Sequence, residues 1–416
     1  MKFNRTPLYR WHLAQGARLT DFGGWEMPLW YPAGAVREHL AVITGAGVFD
    51  TSHMSVLSLA GPEAFDLLQL CFSKDLRGLA AGRCAYGVFL NEDGGVIDDA
   101  IVYHIGPGEF MIVVNAGQGP VVPRRLADQD RSGGAVPVDL TAEVGKMDLQ
   151  GPRAGEVLAR VLEAPGEVVG DLRYFSFRGH FDPTHPTASV RLKNGPSVLV
   201  SRTGYTGEYG FEIFTARERL IEVWESLMAA GAGEVLPCGL AARDSLRAGA
   251  GLPLSHQDLG PWPFINNPWT FALPFTRDGQ GFTKNFLGEV VLSLRDRAEH
   301  TLPFLGHDPR KVSLHDPDFG PARVLDRAGR EIGTVLTCVA DMALGRDNGR
   351  VFSLTSSDRP AGFQPKGICC GFVKVKSRLP VGEPIELIDK RRRIGVTVAS
   401  DLRPGRTARR IQGRLS

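Results

Sequence analysis

Two adjacent carboxylates in an otherwise apolar stretch are the residues best placed to do chemistry. Asp98 and Asp99 stand in the run Val96-Ile97-Asp98-Asp99-Ala100-Ile101-Val102-Tyr103. If this run is a β-strand, neighbouring residues point to opposite faces. Asp99 then shares a face with Ile97, Ile101 and Tyr103, and Asp98 with Val96, Ala100 and Val102. If either face is buried, one carboxyl enters an apolar environment, where it needs partners or holds its proton to higher pH than usual. The bulkier face belongs to Asp99, so Asp99 is expected to be the inward residue and the candidate functional acid. The alternative is one aspartate capping a turn and the other in solvent.

The element that must position these carboxylates is a hairpin. Gly94-Gly95 is a turn signal, because glycine takes positive φ without steric cost. The apolar run Tyr86 to Leu90 precedes it and the aspartate strand follows. Other chemically capable residues carry weaker signals. His53, in Phe49-Asp50-Thr51-Ser52-His53-Met54, reads as a hydrogen-bonded structural histidine, with a base or ligand role second. His180 and His185 do not have the spacing of a helical metal pair, and the stretch 174–186 reads as an irregular loop. Gly231-Ala232-Gly233 follows a helix pattern instead of a strand, which excludes a dinucleotide fingerprint.

The totals bound the function class. A chain of 416 residues exceeds one ordinary core, so two or three domains are expected. A net charge of +2 gives no general case for nucleic-acid or membrane partners. No stretch approaches the length of a membrane span, and residues 1–10 lack a signal-peptide core. The six cysteines (71, 84, 238, 338, 369, 370) form no metal-finger spacing and fit reduced, mostly buried thiols in a cytoplasm. No metal constellation is visible. Fifty glycines and twenty-eight prolines favour short antiparallel strands.

An internal repeat organises the first half. Leu59-Ala60-Gly61-Pro62-Glu63-Ala64 resembles Leu149-Gln150-Gly151-Pro152-Arg153-Ala154, each a strand, a glycine-proline junction and an amphipathic helix. Two related α+β units are expected, roughly 54–135 and 1–53 with 140–280, within a region spanning 1–280. Residues 6–31, aromatic and broken by Gly and Pro, read as loop and strand, and 33–43 as a short helix. Segment 127–137 reads as a loop. Thr215 with Glu218 reads as a capping box before a helix lined by Leu220, Trp224 and Leu227. From about residue 302 the texture is all-β, and 300–410 is expected to be a small barrel or jelly-roll-like domain. The basic tip 390–393 reads as a solvated turn, with a partner-binding patch second.

An ordered series of motifs resembles the glycine-cleavage T-protein family, the folate-dependent aminomethyltransferases and their relatives. It runs through Thr6-Pro7-Leu8-Tyr9, Phe22-Gly23-Gly24-Trp25-Glu26-Met27-Pro28, Phe49-Asp50-Thr51-Ser52-His53-Met54 and Gly94-Gly95-Val96-Ile97-Asp98-Asp99. It continues through Val114-Asn115-Ala116, Leu149-Gln150-Gly151-Pro152, Thr203-Gly204-Tyr205-Thr206-Gly207-Glu208 and Gly239-Leu240-Ala241-Ala242-Arg243-Asp244. The resemblance covers about residues 5–250, and the C-terminal region more loosely. It implies an α+β fold with a three-subdomain ring around a channel for tetrahydrofolate. It also implies that Asp99 is the catalytic carboxylate, that Glu212, Tyr205 and Arg243 contact the pterin or folate, and that Met54, Tyr86 and Asn115 line the same site. One carboxylate such as Glu212 can accept two adjacent pterin donors, and Arg243, always charged, can orient folate oxygens.

Departures from the family pattern cluster in one place. Leu246-Arg247-Ala248-Gly249-Ala250-Gly251 has glycine at 249 where the family usually has glutamate, and Ser255-His256-Gln257-Asp258 and Ile265-Asn266-Asn267-Pro268-Trp269 are also altered. The stretch 346–366 looks inserted. These residues lie on the side associated with the one-carbon donor. The resemblance therefore leaves two transferases open: aminomethyl transfer from the lipoyl arm of H-protein, or demethylation of a small N-, S- or O-methyl compound. His256 reads as an ordinary loop histidine, with a donor-specific acid–base role second. A non-enzymatic folate-binding protein of the iron–sulfur maintenance type is the third reading; no cysteine stands in 202–208, where such proteins carry one.

Overall fold

The computed structural model describes residues 3–131, 133–294 and 299–410. Two compact units divide the chain: Met1–Phe89 with Asp98–Arg243 and Thr407–Ser416, and Leu90–Ile97 with Asp244–Arg406. In the first, helix α1 (Tyr9–Ala14) leads into the hairpin β1 (Arg18–Phe22) and β2 (Trp25–Trp30), then α2 (Ala35–Thr44) and β3 (Ala46–Asp50). The first repeat follows as β4 (Ser55–Ala60), α3 (Ala64–Cys71), β5 (Arg83–Leu90), β6 (Val96–Gly106), β7 (Glu109–Val114), α4 (Val121–Gln129) and β8 (Val136–Asp139). The second comprises β9 (Val144–Gln150), α5 (Ala154–Val161), β10 (Phe177–Gly179), β11 (Leu199–Ser201), β12 (Gly210–Ala216), α6 (Leu220–Ala230) and β13 (Val235–Pro237), and α7 (Leu240–Gly249) comes next.

The repeat seen in the sequence is a repeat of topology. One sheet has the order β5-β6-β7-β4-β8 and the other β10-β11-β12-β9-β3-β13, so five strands correspond one to one. The flanking strand is exchanged: β3, which precedes β4 in the chain, pairs with β9, and β8, which precedes β9, pairs with β4. The two repeat glycines explain why Gly-Pro recurs. Gly61 and Gly151 adopt φ of 137° and 124°, and a Cβ would collide with the carbonyls of Gly134 and Gly45, just ahead of the exchanged strands. An apolar layer that includes Tyr103, Val113, Phe177, Leu199 and Phe214 draws side chains from both sheets.

Local expectations fail where tertiary partners decide the outcome. Residues 9–14 are helical, with His12 buried. Helix α4 extends to Gln129 into the stretch read as loop. Helix α2 buries Glu38, His39, Val42 and Ile43 and leaves Val36 exposed, because the Glu38 carboxylate accepts the Tyr31 and Gly239 N–H groups. Thr215 caps no helix: it lies in β12 and its hydroxyl donates to the Ser197 carbonyl.

The second unit contains α8 (Glu289–Leu294) and the strands β14 (His300–Gly306), β15 (His315–Asp316), β16 (Gly320–Pro321), β17 (Arg323–Leu325), β18 (Glu331–Asp341), β19 (Leu344–Asp347), β20 (Arg350–Ser353), β21 (Ile368–Val375), β22 (Pro384–Ile388) and β23 (Arg393–Val398). Six of them close a barrel in the order β14-β21-β18-β17-β22-β23. Closure removes edge strands, and its core includes Phe304, Val324, Val373, Leu387 and Val396. The stretch read as an insertion supplies the hairpin β19–β20. All six cysteines are buried and free of disulfides. Among the described residues no helix is long and apolar enough to cross a membrane.

Candidate active site

The β5–β6 hairpin forms as expected, but the inward aspartate is the other one. Asp98 is 0% exposed and Asp99 is half-buried. The side with Val96, Ala100 and Val102 is the better-covered one, and Asp98 survives there because Asn115 serves both its oxygens. The Asn115 backbone N–H donates to Asp98 Oδ2 at 2.9 Å and its amide Nδ2 to Oδ1 at 2.8 Å. Side-chain bulk in the strand therefore misjudged the face, because hydrogen-bond supply decides where a carboxylate can be buried.

Asp99 keeps the features expected of a functional acid. The Tyr86 hydroxyl donates to its Oδ2 at 2.8 Å and Asn115 Nδ2 to its Oδ1 at 2.6 Å. Burial and the charge of Asp98 push its carboxyl up to about 6, outweighing these two donors. Its own backbone N–H also donates to the carboxylate, which leaves one of its four acceptor positions open. Burial and then the Asp99 charge raise the Tyr86 phenol well above its ordinary range, so it stays a donor.

A second polar group sits on the facing sheet. Glu212 on β12 is 5% exposed. Its Oε1 accepts Lys146 Nζ at 2.6 Å, and its Oε2 accepts the hydroxyls of Thr203 and, at 3.3 Å, Tyr103. One acceptor position remains, on Oε1, so Glu212 takes one further donor rather than the adjacent pair that a pterin edge offers. Lys146 also reaches Asp148 at 2.7 Å and Thr51 at 3.1 Å, and Arg243 Nη1 reaches the other Asp148 oxygen at 2.7 Å. The Arg243 guanidinium lies 4.8 Å from the Tyr205 ring centre. Burial would raise the Asp148 carboxyl, but Lys146 and Arg243 hold it at about 2.

Tyr103 connects the two groups, since it shares a face of β6 with Asp99 and hydrogen-bonds Glu212. It lies four positions beyond Asp99, about 13 Å along a strand. Met54 is half-buried in the turn before β4 and packs against the same apolar layer. Its neighbour His53 is 4% exposed, with Nδ1 unpartnered among the described residues and its ring edge-on to Phe22 at 5.4 Å. The hydrogen-bonded role expected for His53 is thus not seen at Nδ1. Burial and the Arg243 charge hold its imidazole down at about 4, so it is neutral at neutral pH.

Lys146 and Asp148 escaped the sequence reading, although two charges two residues apart in an apolar strand give the same kind of signal as Asp98-Asp99. A buried relay also went unread: Asp50 Oδ2 meets His12 Nε2 at 2.9 Å, and His12 Nδ1 meets the Tyr31 hydroxyl at 2.8 Å. In the second unit, His256 is exposed on a backbone with φ of 63°. At Gly249 a Cβ would collide with the Asp341 carboxylate, which pairs with Arg403 at 2.8 Å with both side chains fully buried. Among the described residues no cluster of His, Cys, Asp and Glu could hold a metal ion.

These residues fit a reduced pterin cofactor in the number and kind of groups left open. Asp99 and Glu212 each offer one acceptor position. Arg243 uses one N–H among the described residues, and Tyr205 presents a ring. This is an α+β protein of the class built from two strand-exchanged repeat units and a terminal barrel, with its polar groups on facing sheets of the repeat pair. The chain belongs to the glycine cleavage T-protein family: residues 8–263 match the family described as the GCVT N-terminal domain. It is 41% identical over 275 residues to the aminomethyltransferase of Symbiobacterium thermophilum, covering 65% of this chain and 69% of that one. It is 38% identical over 351 residues to that of Herpetosiphon aurantiacus, covering 82% and 88%. Its structure superposes on the glycine cleavage system aminomethyltransferase T from Bartonella henselae with a TM-score of 0.77 at 26% identity, covering 98% of this chain and 99% of that one.

Proposed function

We propose that this protein is a tetrahydrofolate-dependent aminomethyltransferase that passes an aminomethyl group to tetrahydrofolate, giving methylenetetrahydrofolate and ammonia. Asp99 is its catalytic carboxylate, and Met54, Tyr86, Asn115, Tyr205, Glu212 and Arg243 contact the cofactor. Residues 1–280 form the folate-binding region and 300–410 a separate barrel domain. The donor is carried by the lipoyl arm of H-protein, and the setting is cytoplasmic. The relatives' shared activity supports the reaction.

One observation carries the assignment to Asp99: a half-buried carboxyl near 6, oriented by a side-chain donor on each oxygen. Such a group is ionised at neutral pH yet close enough to its pKa to take and return a proton. Tetrahydrofolate, when bound, supplies the nitrogens that take up the carbon. Asp99 holds positive charge or a proton next to them, while Tyr86 and Asn115 fix the carboxylate's direction. Glu212 accepts one ligand N–H, and Arg243 donates to ligand oxygens.

A second reading, methyl transfer from a small methylated compound, is favoured by the altered region around residue 249, where Asp341 fills the space of the usual side chain. Incubating the protein and tetrahydrofolate with aminomethyl-loaded H-protein, and separately with methylated amines, thioethers and ethers, separates the two. Ammonia and methylenetetrahydrofolate from H-protein alone support the first reading. Methyltetrahydrofolate from a methylated compound, with H-protein inert, replaces it with the second.

A further inference from the structure

We infer that Lys146 and Asp148 are positioning residues that tie the two cofactor-contacting ends, Glu212 and Arg243, into one chain of charges. The inference rests on the proposed folate reading and adds two residues to it.

The geometry is specific. Lys146 and Asp148 are two apart on β9 and so share a face. Both are nearly inaccessible, at 1% and 0% exposure. The Lys146 ammonium has three N–H groups and three partners: Thr51 Oγ1, Asp148 Oδ1 and Glu212 Oε1. It is saturated and has no donor left for a ligand. Asp148 is fully buried and held from both sides, accepting Thr51 and Lys146 on one oxygen and Arg243 on the other. The order Glu212–Lys146–Asp148–Arg243 alternates in charge and ends on the two groups that still have capacity for a ligand.

Three consequences follow from this chain. Lys146 takes an acceptor position on Glu212 and so limits it to one ligand donor. Asp148 holds one arm of Arg243 and so sets which N–H groups face outward over Tyr205. The separation between the two binding ends is fixed by the strand, which is rigid, rather than by two long side chains that each must be ordered on binding.

The test uses the full-length protein and tetrahydrofolate itself, measured by equilibrium binding and by KM against kcat with the donor that proves active. Lys146→Met is expected to weaken tetrahydrofolate binding at least tenfold and to raise KM by a similar factor while kcat changes less than threefold. That pattern marks lost binding rather than lost chemistry. Lys146→Arg, which keeps the charge, is expected to recover most of the affinity. A Lys146→Met protein that melts at lower temperature yet binds tetrahydrofolate as tightly as wild type overturns the inference, because a purely structural lysine behaves that way. If Lys146→Met does not fold, the near-isosteric Asp148→Asn decides: it is expected to weaken binding about fivefold or more, and unchanged binding in folded protein overturns the inference. Wild-type protein that binds no tetrahydrofolate sinks the folate reading itself. Wild-type binding with insensitive variants sinks only the role given to Lys146 and Asp148.

Discussion

Asp98 and Asp99 point to opposite faces of one strand yet meet the same amide: Asn115 Nδ2 lies 2.8 Å from Asp98 Oδ1 and 2.6 Å from Asp99 Oδ1. Asp98 is fully buried and Asp99 half-buried, and the charge of the first acts on the second directly while the shared amide donates to both. The raised pKa of Asp99 follows from burial and this neighbour together.

Replacing Asp99 by Asn removes the titrating group and keeps the shape. Turnover is expected to fall by about 10²–10⁴-fold, the usual worth of a positioned acid–base group. Equilibrium binding of tetrahydrofolate should change much less, which a direct titration of the variant checks.

Removing the shared amide tests the coupling. In Asn115→Ala both aspartates lose a donor, so the Asp99 carboxyl should rise further, and the acidic limb of the kcat profile should move above pH 6. Leaving Asp98 buried with one fewer partner costs about 1–3 kcal/mol, read as a lower melting temperature.

Asp99 and His53 should tilt the stability profile in opposite directions. Asp99 has a folded pKa of about 6, above its unfolded value of 3.8, so its ionisation costs stability above pH 6 and the cost disappears as pH falls toward 4. Asp99→Asn should therefore melt higher than wild type at pH 7, by the equivalent of about 1–2 kcal/mol after allowing for its partial exposure, with the gap closing by pH 4. His53 is depressed from 6.5 to about 4, so its contribution is complete above pH 6.5 and is lost as pH falls from there toward 4. His53→Gln should accordingly lose less stability than wild type between pH 6.5 and 4. Melting curves of both variants across that window check the two signs.

Gly249 faces the Asp341 carboxylate, so even one methyl group is too many there. Gly249→Ala should cost about 1–3 kcal/mol through overpacking. If the collision is the cause, the cost should shrink when Asp341 is also replaced by Gly, a non-additivity that a double-mutant cycle measures.

Particular residues show what was legible in the sequence and what was not. The Gly61-Pro62 and Gly151-Pro152 pair disclosed the repeat because a positive φ and a close carbonyl leave only glycine. The barrel strands were legible from alternation and turns, which are local properties. The exchange of β3 and β8 was not, because pairing between strands about 100 residues apart in one case and about 80 in the other leaves no local mark. The inward aspartate was misread because Asn115, which decides the matter, lies on another strand. The burial of Lys146 and Asp148 depends on Glu212 and Arg243, partners on β12 and α7 that no local pattern records. His12 is the one buried residue of its short helix, packed against Tyr31 and Trp224, and no local pattern marks those partners.

The most direct test of the central claim is a single-turnover experiment with enzyme in excess over aminomethyl-loaded H-protein, with and without tetrahydrofolate, in wild type and Asp99→Asn. Wild type is expected to give one ammonia and one methylenetetrahydrofolate per loaded lipoyl arm, dependent on tetrahydrofolate, and the variant to react at least about 10²-fold more slowly. Ammonia release at the wild-type rate from Asp99→Asn would contradict that claim, and so would wild-type protein that binds tetrahydrofolate but leaves the loaded arm intact.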